Sequence, residues 1–292
     1  MQARRILGQA GSRFLVWMAV VAASGLLAAA LVRMAPGFGM DERLLDVRLS
    51  AASRQAVAQQ AAQQDNVLRY YFQYCRRLAR GDLGRSTSLG RPVRELLAER
   101  LPVSLRSAAA GLALAWGLTL AAGAGLILGR SRRGFRAAHG AAMAGSGALL
   151  CIPAAVVALA CAYADGRPAL AITAILLPRL FRYTQSALAA AVSAPHVLAG
   201  EAVGLPGWRI LWLYIAAPAW PELAALAGVS VSMAAGSTIP VEALCDSPGI
   251  GNLVWQAALS RDLPVLVNVT LLITALTTGA NLAADAVRTA RE

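Results

Sequence analysis

The sequence predicts an all-α membrane protein, a bundle of transmembrane helices, and three observations carry the prediction. Of 292 residues, 58% are hydrophobic and only 14% charged, where soluble domains carry about 25% charged residues; mean hydropathy is +0.56. The apolar residues collect in long uncharged runs, near the roughly 20 residues a helix needs to cross a bilayer. Arginines cluster between the runs: all 27 basic residues are arginine and the formal charge is +12. A basic balance also suits nucleic acid, but arginines scattered between apolar spans, with no recognition motif, fit membrane topology better. No nucleic-acid partner is expected.

The first run, Phe14 to Val32, follows Arg4, Arg5 and Arg13 and ends at Arg33-Met34-Ala35-Pro36-Gly37, which is no small-residue cleavage site. Residues 1–36 therefore read as a cytoplasmic tail and a retained first span. Residues 37–100 contain no span and read as an extracytoplasmic segment, despite an excess of arginine over acids. Within it, Ser50 to Gln64 is helix-prone through alanine and glutamine. Asn66 to Arg80 is an amphipathic helix whose Tyr70, Tyr71, Phe72 and Tyr74 suit either a bilayer interface or packing against the bundle. The turn Gly81-Asp82-Leu83-Gly84-Arg85-Ser86, then Pro92-Val93 and a helix over Arg94 to Arg100, lead into the next span.

Residues 101–292 hold five further runs. Leu101 to Leu128 carries Gly111, Gly117, Gly123 and Gly125, small residues that let helices approach closely. Arg130, Arg132, Arg133 and Arg136 follow as an inside-facing cluster. Ala141 to Tyr163 contains Pro153, which should kink it, since proline removes a backbone donor and clashes with the preceding turn. After the short outer turn Asp165–Pro168, a fourth run starts at Ala169 and meets Pro178-Arg179 part-way, with Leu180 to Ala194 continuing the helix. The fifth run, Leu211 to Ala235, is interrupted by Pro218 and Pro221, and the sixth spans Val265 to Ala284. An even number of spans puts both termini on the cytoplasmic side.

Two patterned stretches flank the fifth run. Before it, Gly204, Pro206 and Gly207 end a short helix around Glu201 and turn the chain sharply, leaving a projecting knob on the inferred cytoplasmic face. The bland reading is a simple chain reversal. After it, Gly236, Ser237 and Thr238 mark where the helix loosens into a segment, Glu242 to Asp262, that folds back over the bundle. Pro248, Gly249 and Gly251 give that segment a stiff turn whose glycines supply backbone freedom, and Leu253 to Leu259 a short helix. Glu242 and Asp246 are placed to meet a cationic ligand terminus or a receptor, or stand exposed or pair with Arg261. Arg179, at mid-span, either lines a polar path and meets an anionic group or snorkels and pairs structurally.

Enzyme chemistry finds little support. No phosphate-binding lysine–serine/threonine loop is present. Cys75, Cys151, Cys161 and Cys245 lack metal-site spacing, and His139 and His196 are isolated. Ser146 and Ser186 have no base partner, so an intramembrane enzyme would require Glu222, Arg179 and a serine in one cavity.

Met233 to Pro264 resembles the region before the last transmembrane helix in the inner-membrane permeases of peptide and nickel ABC importers. The resemblance rests on Val241-Glu242, Ala243-Leu244, Pro248-Gly249-Ile250-Gly251, the helix Leu253 to Leu259, and Arg261-Asp262-Leu263-Pro264. The turn at Gly81–Ser86 resembles the family's glycine–aspartate–leucine–glycine–x–serine step. His196 to Leu205 resembles the coupling segment that ends in alanine–lysine–glycine–leucine. This chain keeps Ala202, Gly204 and Leu205 but has Val203 for the lysine, Glu201 at a usually basic position, and Ala216, Ala217 and Pro218 where basic or asparagine residues are usual.

The resemblance implies a six-span type I ABC importer permease fold in a bacterial inner membrane. It implies a pore subunit, not an enzyme, that forms with a homologous second permease the path for a peptide, nickel or related small solute. No cofactor is expected on this chain; ATP and magnesium belong to two ATP-binding subunits, and an extracytoplasmic solute-binding protein delivers the solute. The coupling segment covers about 194–210, with Gly200, Glu201, Ala202, Gly204, Leu205, Pro206, Gly207 and Arg209 meeting the ATPase. The outer cap covers about 238–264, and the chain's translocation or gate candidates are Arg179, Gly236, Glu242, Asp246, Pro248, Gly249 and Gly251. A divergent permease-like scaffold or regulatory subunit is the alternative.

Overall fold

The computed structural model describes residues 2–34, 67–78, 80–129, 135–164 and 166–289. Regular structure among them is helical, apart from one isolated bridge between Arg85 and Pro92. The helices are α1 (Gln2–Met34), α2 (Val67–Leu78), α3 (Val93–Leu128), α4 (Phe135–Leu150), α5 (Ala154–Tyr163), α6 (Pro168–Val192), α7 (Pro195–Ala202), α8 (Gly207–Leu244), α9 (Ile250–Leu259) and α10 (Leu263–Thr289). The helix expected over Ser50 to Gln64 and the arginines at 130, 132 and 133 lie outside the described residues.

The all-α, multi-span class holds. Of the six expected spans, α3, α8 and Leu263–Ala286 of α10 are long and apolar enough to cross a membrane, and α4 with α5 adds a fourth if the pair is one span. The first run sits inside α1, where Leu15–Leu31 forms an apolar helix shorter than the other spans. The fourth lies in α6, where Arg179 and Arg182 interrupt it.

Proline acts differently at each site. At Pro153 the expected kink is a full break: the helices on either side meet at 91°, and Pro153 stands immediately before α5 at its N-cap position. Pro178 is carried inside α6 without a break. In α8, Pro218 and Pro221 do not interrupt the fifth run as expected; a π-helical stretch, Ile210–Ala216, precedes them and the helix continues. Pro218 has no N–H for the Tyr214 carbonyl four residues earlier, and His196 Nε2 meets that oxygen at 2.9 Å. Nor does α8 loosen at Gly236–Thr238; it runs on to Leu244, past Pro240. Ala234, Ser237, Thr238, Val241 and Glu242 are all buried. That helical spacing of inward-facing residues outweighs the weak helix propensity of glycine, serine and threonine.

The chain forms two compact units. The first comprises Met1–Glu99 with Leu253–Ala275. Its core joins Ala29 of α1, Tyr74 of α2, and Leu263 and Val267 of α10. Tyr71 and Tyr74 turn inward: Tyr71 donates to the Ala22 carbonyl at 2.6 Å and Tyr74 to Asn268 Oδ1 at 2.7 Å. Phe72 points outward, 74% exposed. Packing against the bundle therefore accounts for the two tyrosines. Gly25 permits the approach, since a Cβ there would stand 2.7 Å from both Leu271 and the Tyr71 hydroxyl.

The second unit comprises Arg100–Asn252 with Leu276–Glu292. Its core runs along α6, where Ile172, Ile175, Leu176 and Leu180 pack with Ala115 of α3, Ala158 of α5, and Ala234 and Val241 of α8. Two of the four α3 glycines serve close approach. A Cβ on Gly111 would stand 2.8 Å from the Ala169 carbonyl, and one on Gly123 3.2 Å from Gln185 and Leu188. Gly117 and Gly125 have open space around them.

Candidate coupling turn and outer cap

The candidate coupling turn is built by helix ends. Pro195 opens α7 with its fixed φ, following Ala194, which gives no side-chain cap. The helix ends at Val203, and Gly204 takes φ +78, a left-handed value that side chains resist. The Gly204 N–H then reaches the Glu201 carbonyl at 2.9 Å and the Leu205 N–H the Gly200 carbonyl at 3.2 Å, satisfying the helix's last carbonyls. Pro206 precedes α8, again without a side-chain cap.

Behind the turn, Val197, Ile210 and Ile215 are buried together with Leu188 of α6, with Leu205 and Tyr214 packed on them. His196 stacks on Tyr214, centroids 6.2 Å apart. Gly200 is buried against Leu205 and Tyr214. Glu201, Ala202, Gly204, Pro206, Gly207 and Arg209 face outward, and Leu205 is half-buried. Val203 is 80% exposed, with Leu198, Trp208 and Trp212 also open, and the Arg209 guanidinium lies 5.4 Å from the Trp208 ring. The arrangement is a rigid knob with an apolar, weakly charged face.

The cap is built around a buried carboxylate. Glu242 has no exposed surface. Its Oε2 accepts from Ser104 Oγ at 2.9 Å and from the Gly251 N–H at 2.7 Å, and its Oε1 accepts from Ser107 Oγ at 3.2 Å. Ser104 Oγ in turn accepts the Ile250 N–H at 2.7 Å. The first N–H groups of α9, which have no partner within their helix, thus end on Glu242 and Ser104, and the partial positive charge of a helix start suits the carboxylate. Glu242 is not exposed, one of the alternatives its sequence position left open. It is a remote helix cap.

Gly249 and Gly251 are required here for space, not backbone freedom, since neither has a positive φ. A Cβ on Gly249 would collide with the Glu242 carboxylate, and one on Gly251 would stand 2.6 Å from the Thr238 carbonyl. Asp246 and Pro248 are exposed; Asp246 has φ +47 and accepts from Asn252 Nδ2 at 3.2 Å. Gly236 lies on an exposed part of α8 with open space around it, apart from the Glu242 group. Arg179 is on the exposed face of α6.

The first unit contains a second buried carboxylate. Asp262 is fully buried. Its Oδ1 takes the Val265 N–H at 3.3 Å, capping α10. Its Oδ2 takes Ser86 Oγ at 2.5 Å, the Ser88 N–H at 3.0 Å and Ser88 Oγ at 2.7 Å. Asn268 Nδ2 donates to the Leu83 carbonyl at 2.9 Å, so the turn after Gly81 is tied to the start of α10 at both edges. Burial by itself would raise the Asp262 pKa, but the bonds from Ser86, Ser88 and Val265 outweigh it and hold the carboxyl below its usual range. Sequence reasoning singled out Glu242 and Asp262 but missed Ser104, Ser107, Ser88 and Asn268. A serine carries no signal until the fold brings a carboxylate to it. Among the described residues no group of three or more His, Cys, Asp or Glu is placed to hold a metal.

The patterned stretches thus lie at the ends of helices, several of them long and apolar enough to cross a membrane. The chain belongs to the family described as binding-protein-dependent transport system inner membrane component, whose model matches residues 121–291. It is similar to the oligopeptide transport system permease protein OppB of Salmonella typhimurium, 29% identical over 234 residues, 73% of this chain and 75% of the relative. The OppB protein of Escherichia coli K12 matches at the same identity and coverage. The chain is thus a membrane permease of the ABC type, as the motifs implied.

Proposed function

We propose that the chain is one of two permease subunits forming a path for peptides across a bacterial inner membrane, with six crossings and both termini cytoplasmic. Residues 1–36 supply the tail and first crossing, 37–100 an extracytoplasmic segment, and 101–292 the core. Two ATP-hydrolysing subunits, which hold ATP and magnesium, drive it from inside, and a solute-binding protein delivers the peptide from outside. The observation that carries this reading is the turn from Pro195 to Arg209: a pinned helix presenting exposed Glu201, Ala202, Val203 and Gly204 with open space beyond Gly204. Such a knob fits a cleft on a partner. Its coupling role covers Gly200, Glu201, Ala202, Gly204, Leu205, Pro206, Gly207 and Arg209. In this reading the segment over about 238–264 serves as an outer cap.

The peptide assignment follows the printed identity of the OppB relatives. The test is uptake of labelled tri-alanine by cells carrying the complete transporter, with and without this chain, together with thiol labelling of S53C and S131C in a cysteine-free background. Uptake that requires the chain, with an impermeant reagent reaching position 53 but not 131, is the expected result. Chain-independent uptake overturns the function, and labelling at 131 but not 53 inverts the topology. Exposed Val203 at the usual lysine position favours a scaffold as the second reading; in that case the ATPase fails to co-purify.

A further inference from the structure

The most buried helix of the second unit also carries its most unusual exposed face. Along α6, Ile172, Ile175, Leu176, Leu180, Thr184 and Leu188 are buried. The opposite side presents Arg179, Arg182, Tyr183 and Ser186, all exposed. Residues three, four and seven apart share a helix face, so the two guanidiniums, the phenol and the hydroxyl form one polar stripe. Neither arginine has an acidic partner among the described ion pairs, which join Arg91 to Glu95 and Glu99. Arg182 reaches along α4: its Nη1 lies 3.3 Å from where a Cβ on Gly147 would stand.

The position of the stripe midway along α6 argues against an ordinary surface role. The 25 residues of α6 make a helix about 37 Å long, and Arg179 falls about 16 Å from its start. Ile172 to Leu180 share a core cluster with Ala234 and Val241 of α8, a helix long and apolar enough to cross the membrane. Arg179 is therefore flanked by membrane-crossing structure on its own helix's far side. An arginine facing lipid there is strongly disfavoured, and charged groups at that depth face water or a partner.

We propose that the α6 stripe faces the aqueous path and that Arg179 and Arg182 receive an anionic group of the solute, its carboxylate. This rests on the reading of the chain as a path-forming permease and adds to it a solute charge and the residues that select it. Guanidinium donors match a carboxylate's geometry and keep their charge at any relevant pH. Two of them one helical turn apart make an attraction that a passing solute can enter and leave, with Tyr183 and Ser186 keeping the adjoining wall polar.

The test uses the complete transporter in membranes, with the four native cysteines replaced by alanine and S186C introduced. Reaction of Cys at 186 is timed with an anionic sulfonatoethyl methanethiosulfonate and a cationic trimethylammonioethyl one. A site beside two arginines in water should favour the anionic reagent, and R179Q/R182Q should lower that preference by at least about tenfold, the scale on which focused fields change rates. R179K/R182K, which keeps the charge, should retain it. No reaction at 186, or a preference indifferent to the glutamine pair, overturns the proposal. Tri-alanine uptake in the same cells separates the two readings: normal uptake with no charge preference at 186 leaves the permease standing and removes only the anion site.

Discussion

The cap around Glu242 and the turn after α7 both end one helix and begin another, yet they treat the new helix's free N–H groups in opposite ways. At the start of α9 those groups meet Glu242 and Ser104, at 2.7 Å each. At the starts of α7 and α8 no side chain caps the helix, and the surrounding residues are exposed. Asp262 at the head of α10 repeats the first pattern with its two serines. A helix end that completes its own hydrogen bonds is made to stay closed. One left open, but stiffened from behind by Val197, Ile210 and Ile215, presents a fixed shape to something else. Contacts within the chain thus define the cap, and contacts outside it are expected to define the coupling turn.

Substitutions break this contrast to different extents. The largest loss is expected from G249V. The added side chain would occupy the seat of the Glu242 carboxyl group and leave a buried polar group without its partners, a loss on the order of 3 kcal/mol. The purified complex should show a sharply lower Tm and little folded chain should reach the membrane. A normal Tm would mean that Glu242 has another resting place.

D262N should cost about 2–3 kcal/mol near neutral pH, because hydrogen bonds to a charged acceptor are exchanged for weaker ones. The sign with pH follows from the lowered pKa. The carboxylate's contribution is fully present above the unfolded value of roughly 3.9 and is lost as pH falls through the lower folded value. Wild type should therefore lose Tm more steeply than D262N below about pH 4. Parallel curves would remove Asp262 from the account of stability.

Glycine gives the smallest and most direct comparison. G204A should destabilise by about 1 kcal/mol through its left-handed φ alone, since nothing lies within 4 Å of a Cβ there. G236A, in an open helical position with ordinary φ, should stabilise by about 0.5–1 kcal/mol. Opposite signs in one melting experiment would separate the glycine required by backbone conformation from the one that is not.

Much of this was legible in the sequence, and the omissions have a common cause. Gly204 and Pro206 announce their turn because the requirement is local. The proline–glycine–isoleucine–glycine step announced a turn too, but for the wrong physical reason. Gly249 answers to Glu242, whose own partner Ser104 lies 138 residues away, and Ser86 lies 176 residues from Asp262. No local pattern carries such a pairing. The end of α8 was misplaced because Gly236, Ser237 and Thr238 read as weak helix formers, whereas the inward spacing from Ala234 to Glu242, visible in the same residues, decides the outcome. The count of spans was blurred where arginines enter α6, which is also where the stripe of functional interest lies.

The central claim is that the open turn after α7 docks an ATPase, and G204D tests it most directly. Aspartate tolerates the left-handed backbone better than most residues and its Cβ would have open space around it, so the fold should survive. G204N, equally tolerant but uncharged, serves as the control. The measurement is recovery of this chain through a tagged ATPase subunit, with peptide-stimulated ATP hydrolysis of the recovered complex. The account predicts that G204D loses recovery, because a carboxylate would be buried unpaired in the docking cleft, while its Tm matches that of G204N and G204N is recovered better. Full recovery of G204D with undiminished stimulation would contradict it.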